Sequence, residues 1–171
     1  MGRKRWHHAQ TLTARFPASE PCTCPVCVGY CLRPGWWTVD QAADAIRAGY
    51  AGRMMLEMSP ERSYGVLSPA FKGCELDFAR QVFADRGCTF LQAERCELFG
   101  SGLEPLECLH CHHASPQAGH RCHAEIGRTW NSTSGRDLIV EWSQQTGFLE
   151  RVHHIHPGLG WVPGGVAKPP R

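Results

Sequence analysis

"PCTCPVCVGYCLRPGWWT", residues 21–38, sets four cysteines within ten positions and follows them with a proline, a glycine and two tryptophans. Such crowding has three ordinary explanations: a disulfide knot, a redox pair or a metal site. Cys24-x-x-Cys27 has the spacing at which a tight turn aims two thiolates at one ion. Cys22 and Cys31 flank it closely enough to reach the same ion or a neighbouring one. Four ligands in ten residues make a cramped chelate for a single ion, so these thiols are expected to share ions with distant ligands.

Candidate partners lie further along the chain. Cys74 follows Gly73, Cys88 follows Gly87, and Cys96 comes eight residues after Cys88. The glycines allow a sharp backbone turn near an ion. Cys108 and Cys111 form a second C-x-x-C in "CLHCHH", with His110, His112 and His113 around it. Thiolate and imidazole together suit zinc or an iron–sulfur centre, whereas magnesium and calcium prefer oxygen. The expected metal ligands are therefore Cys22, Cys24, Cys27, Cys31, Cys74, Cys88, Cys96 and Cys108, with Cys111 as a ninth. Eight thiolates would fill two tetrahedral sites. Cys122 reads instead as a small buried apolar residue, and His112 and His113 read as surface groups or groups behind the ligands. Of the downstream histidines, His153, His154 and His156 carry at most incidental metal affinity.

The chain of 171 residues has a formal net charge of +2, ten cysteines and ten histidines. It is long enough for one compact domain. Near-neutral charge disfavours a nucleic-acid partner, as does the long gap between the two C-x-x-C pairs, which no ordinary zinc ribbon spans. Nothing approaches the roughly 18 apolar residues that cross a bilayer, and the N-terminal residues lack the apolar stretch of a secretory leader. A cytoplasmic location is expected, where clustered thiols bind metal more often than they form disulfides. A protein partner stays open.

Local patterns predict a mainly α fold with minor β: one small cysteine-rich, metal-stabilised domain whose loop-rich centre packs on two or three helices. Residues 1–20 read as an irregular arm, 21–147 as the metal-binding domain and 148–171 as an extended Pro/Gly-rich tail. Within the domain, 21–37 reads as a cysteine loop. Thr38 opens a helix with Gln41 completing a capping box; Ala42, Ala45 and Ile46 share a face, and Gly49 stops it. Residues 51–58 fit a short helix or a strand. From Ser59 to Glu107 the chain reads as short, loop-rich segments, with "CTFL" and "CELF" pairing as a hairpin. Helices are expected at 116–130, with Cys122, Ile126 and Trp130 four apart, and at 134–147, capped by Ser134, with Leu138, Ile139 and Trp142 inside. Trp36, Trp37, Trp130 and Trp142 would serve as core or as a cover over the metal.

The motifs "CxCPVCVGYCLRPGWWT", "KGC" and "GCTFLQAERCELFGSGLEPLEC" resemble the CxxCxxCC, or YkgJ-like, zinc- or iron-chelating proteins, over about residues 21–145. Cys88, Phe90, Leu91, Cys96, Pro105 and Cys108 match that family's "GxCxFL…xCxIYxxRPxxCR" stretch. Tyr30-Cys31 stands where the family has Cys-Cys, Glu104-Pro105 stands for Arg-Pro, and Leu109 replaces an arginine. The resemblance implies zinc or iron chelation and names no substrate. One branch of the family is associated with lysine methylation of flagellin, in longer chains.

Two functional classes follow. In the first, the metal is structural and closes a loop-rich half onto the helices; structural zinc contributes on the order of 10 kcal/mol or more to folding. In the second, the chain is an iron–sulfur redox protein or a metal-dependent protein-modifying enzyme, with Glu97 or Glu107 beside a ligand as general base. No phosphate loop, catalytic triad order or His-Glu-x-x-His supports a named reaction.

Overall fold

The computed structural model describes residues 11–93 and 95–155. It is mainly helical, with two small two-stranded sheets. The chain runs α1 (Leu12–Arg15), α2 (Pro25–Tyr30) and α3 (Val39–Ala45), then a wider helical turn at Ile46–Tyr50 and a tighter one at Ala51–Arg53. A hairpin of β1 (Met54–Met58) and β2 (Gly65–Pro69) follows, then a 3-10 segment at Gln81–Arg86 and a two-residue hairpin of β3 (Leu91–Gln92) and β4 (Arg95–Cys96). α4 (Leu106–His110), α5 (Pro116–Trp130), α6 (Thr133–Thr146) and α7 (Phe148–Ile155) complete the described chain.

α3 forms for the local reasons expected. The Thr38 hydroxyl accepts from the Gln41 backbone N–H, and the Gln41 side chain accepts from the Thr38 N–H. Ala42, Ala45 and Ile46 are buried, and Gly49, at φ +94°, turns the chain where a Cβ would be strained. Residues 51–58 contain both anticipated alternatives, one turn of helix leading into β1. β1 pairs antiparallel with β2 from Met54↔Pro69 to Met58↔Gly65, and α5 and α6 lie across β2. Phe71 and Cys88 bridge the two halves of the loop-rich centre.

Trp37, Trp130 and Trp142 are fully buried and organise the core. Each indole N–H donates to a backbone carbonyl: Trp37 to Leu103 at 2.8 Å, Trp130 to Trp37 at 2.7 Å and Trp142 to Ala51 at 2.9 Å. Buried rings with a satisfied N–H combine large apolar contact with fixed orientation. The tryptophans thus tie the segment after the cysteine cluster to α5 and α6. Cys122, Ile126 and Trp130 line the buried face of α5, as their spacing predicts.

Several local expectations are corrected. Residues 21–37 are not all loop, because Pro25 at the first helical position starts α2, with Cys24 as its N-cap. The segment read as an irregular arm includes α1, and Phe16 at its end is buried. The cap of α6 is Ser132, whose hydroxyl accepts from the Gly135 N–H, rather than Ser134. Residues 148–155 form α7 and do not begin an extended tail. Phe148 and Val152, one turn apart, are buried in the main core. The anticipated tail histidine His156 and the Pro/Gly-rich residues after it lie outside the described residues, as do 1–10. No described helix is long and apolar enough to cross a membrane.

Candidate metal centre

Residues 16–19 run against the end of α4. The Ser19 N–H donates to Leu109 O and its hydroxyl to His110 O, each at 2.8 Å, while His110 Nδ1 lies 2.9 Å from Pro17 O. Phe16 packs edge-on against the His110 ring at 5.2 Å. These contacts carry Cys22 to the turn that follows α4. Cys24 caps α2 and Cys27 occupies its first turn, so both thiols leave the start of the helix on the same side. From the opposite direction, Cys111 ends α4, and the turn His112–Ser115, closed by Ser115 N to His112 O, presents His113.

The four side chains converge. His113 Nδ1 lies 3.6 Å from Cys22 Sγ, 3.5 Å from Cys24 Sγ and 3.3 Å from Cys27 Sγ. All four donor atoms lie within 4.8 Å of one another, the one His/Cys/Asp/Glu group among the described residues that meets this limit. The cysteines are partly buried and His113 is exposed. The Cys24 thiol lies below its ordinary pKa. The Cys27 backbone N–H favours its thiolate, without reaching the geometry of a capping hydrogen bond. Cys27 is shifted upward by desolvation, against which the His113 backbone N–H acts. A tetrahedral ion with Zn–S of about 2.3 Å and Zn–N of about 2.0–2.1 Å places nitrogen and sulfur ligands ~3.5 Å apart. The observed spacings match that figure, so three thiolates and one imidazole fit a single ion here.

His113 is the ligand-type residue that the sequence reading set aside. Three histidines crowd that stretch, and only the turn after α4 decides which one faces the cysteines. His110 is turned to Pro17, and His112 stacks on His113 at 4.2 Å between ring centres. A histidine two residues beyond a C-x-x-C was the available signal.

The other anticipated ligands are distributed as follows. Cys88 is buried in the main core, with Cys31, the C-cap of α2, and Cys96 partly buried against it, while Cys108 opens to a cavity of about 370 Å3. Cys27, Cys31 and Cys111 line the same cavity, which runs between the two ends of the cysteine constellation. Burial pushes the Cys88 and Cys111 thiols up to about 11. Although one side of Cys108 meets solvent, the protein packed around the rest raises its thiol well above the ordinary value. Cys74 stands apart, in a minor core with Met55, Ala70 and Phe71; its thiol donates to Phe78 O at 3.0 Å. Cys122 is fully buried, as expected, with its thiol pushed up to about 12 by burial. All ten cysteines are free thiols.

The two glutamates considered as bases are both engaged. Glu97 is paired with Arg53 at 2.7 Å. Glu107 accepts from the Trp36 backbone N–H at 2.8 Å and from His123 Nδ1 at 2.9 Å. Fold and site together define a small, mainly helical, cysteine-rich domain carrying a Cys3His group that could hold a metal ion. No protein-family model, curated protein or solved structure matches the chain, so the resemblance to the CxxCxxCC proteins stands on its motifs alone.

Proposed function

We propose that the protein is a metal-binding domain in which one zinc or iron ion, held by Cys22, Cys24, Cys27 and His113, plays a structural part. The observation that carries this reading is the near-equal distance, 3.3–3.6 Å, from His113 Nδ1 to three sulfurs. His113 lies far from the cysteines in sequence, so an ion there cross-links the chain's N-terminal third to the start of α5. Four ligands from the protein fill a tetrahedral shell and leave no open position for substrate, the arrangement of structural rather than catalytic zinc. The same spacing favours a single ion over an iron–sulfur cluster, whose inorganic sulfide would hold its protein ligands further apart.

The iron–sulfur redox reading and the protein-modifying reading predict different contents. Elemental analysis of protein purified anaerobically without an affinity tag separates them. Stoichiometric zinc, or iron without acid-labile sulfide, lost in His113→Ala, is the expected result. Iron with equivalent sulfide lost in that variant would favour redox chemistry, and unchanged metal content in His113→Ala would remove His113 from the site.

A further inference from the structure

A groove of about 650 Å3 lies between α1 and α5, and none of the residues lining it belongs to the Cys3His group. One face of α5 supplies its length. Ala118, Arg121, Glu125 and Arg128 recur every three or four residues, so they stand in one row along the helix. Arg15, the last residue of α1, meets this row with a two-pronged grip on Glu125. Its two terminal nitrogens lie 3.2 Å and 3.3 Å from the two carboxylate oxygens. Phe16 and His110, packed edge to face at 5.2 Å, also line the groove.

The charges in this row do not balance. Glu125 accepts from Arg128 as well as from Arg15. Hydrogen bonds from Arg15 and Arg128 hold the Glu125 carboxyl below its ordinary range, so negative charge is already favoured at this place. Arg121, one turn before Glu125, is exposed and has no ion-pair partner among the described residues. Three guanidiniums against one carboxylate leave two positive charges, with the His110 ring taken as neutral. Between them the wall is small and apolar, because Ala118 and Ala124 leave open the space that longer side chains would fill.

We propose that this groove binds a small phosphomonoester, its dianionic head held by Arg121 and Arg128 and its organic part laid over Ala118 and Ala124. A phosphomonoester carries a charge of about −1.5 to −2 at neutral pH, which matches the surplus of the groove. A carboxylate monoanion would leave one positive charge unmatched. Guanidinium forks fit phosphate oxygens two at a time. Glu125 holds Arg15 and Arg128 in place, so part of the ordering cost of binding is met before the ligand arrives. The volume falls among the roughly 300–1,000 Å3 clefts that take small molecules, and it exceeds what a bare phosphate ion would fill.

Calorimetric titration of the intact protein with phenyl phosphate at physiological ionic strength tests this, with phenyl sulfate and inorganic phosphate as comparisons. Phenyl sulfate has the same shape and a single charge; inorganic phosphate has the head without the organic part. Phenyl phosphate should bind at one equivalent and more tightly than either. Arg121→Gln should weaken it about tenfold or more, the loss expected of one charged hydrogen-bonding partner. That variant should keep its melting temperature, since Arg121 pairs with no described carboxylate. Arg128→Gln should weaken binding too, and Arg136→Gln, on α6 outside the groove, should leave it unchanged. No saturable binding in the millimolar range, equal affinity for phenyl sulfate or for inorganic phosphate, or undiminished affinity in Arg121→Gln would each overturn the proposal. Metal content enters none of these outcomes, so the Cys3His reading stands or falls separately on His113→Ala.

Discussion

Stripping the protein of metal with a strong chelator should open α2 and leave the tryptophan core closed. α2 is six residues long and buries none of them, and Val26 is 54% exposed. Helices shorter than about 12–15 residues are marginal without tertiary support. On the proposed reading, metal ligation is what fixes this segment. An ion at a free concentration 100 times its dissociation constant adds about 2.7 kcal/mol. At 1.4 kcal/mol per tenfold, chelation should speed amide exchange about 100-fold at the N–H groups of Val28, Cys31 and Leu32, which bond Cys24, Val28 and Gly29 carbonyls. Peptides covering α5 and α6 should keep their protection, because Trp130 and Trp142 are sealed by contacts that involve no thiol ligand. Hydrogen exchange read by mass spectrometry on holo and apo protein measures both. Equal loss of protection in α2 and α6 would refute the reasoning, since the ion would then support the whole fold. No change in α2 would refute it from the other side.

Gly35→Ala should lower the melting temperature. The new Cβ meets Cys108 Sγ at 2.7 Å and Cys108 N at 2.9 Å, overpacking that costs about 1–3 kcal/mol. In a chain of this size that is a fall of about 2–12 °C by scanning calorimetry; an unchanged value would show that α4 shifts freely. His123→Gln should destabilise more at pH 6 than at pH 8. The hydrogen bond that His123 donates to Glu107 raises the folded-state His123 pKa above its ordinary value, so its stabilisation is present below about pH 6.5 and fades as pH rises through the raised value. The side chain is 42% exposed, which limits the pH-dependent part to about 0.5–1 kcal/mol. The ring also stacks on Trp36 at 3.8 Å, so a pH-independent loss should appear beside it. Urea midpoints at the two pH values check the difference, and equal losses would mean stacking alone is at work.

What the sequence made legible was local. The capping box at Thr38 and Gln41, the four-residue spacing of Cys122, Ile126 and Trp130, and the terminating Gly147 each depend on residues within a turn or two. The β1–β2 hairpin escaped because Met54, Met55 and Leu56 are all buried, as are Val66, Leu67 and Ser68. Strands covered on both faces lose the alternation that marks them. α7 escaped because the glycines and prolines after it masked the Phe148 and Val152 repeat. The thiol-rich stretch pointed to metal, yet His113 could not be told from His110 and His112. Its role depends on the α4–α5 turn meeting a segment some ninety positions away.

The helical geometry of α2 makes some of its spacings rigid and others free. Each residue of an α-helix advances about 100° around the axis. Deleting one residue between Cys24 and Cys27 would swing the Cys27 thiol about 100° round the axis, away from His113. A residue gained or lost between Cys22 and Cys24 falls before the helix begins, where extended chain can absorb it. Among diverged sequences sharing this architecture, the two residues Pro25 and Val26 should therefore vary in identity but not in number, while the Cys22–Cys24 interval should be the one that drifts.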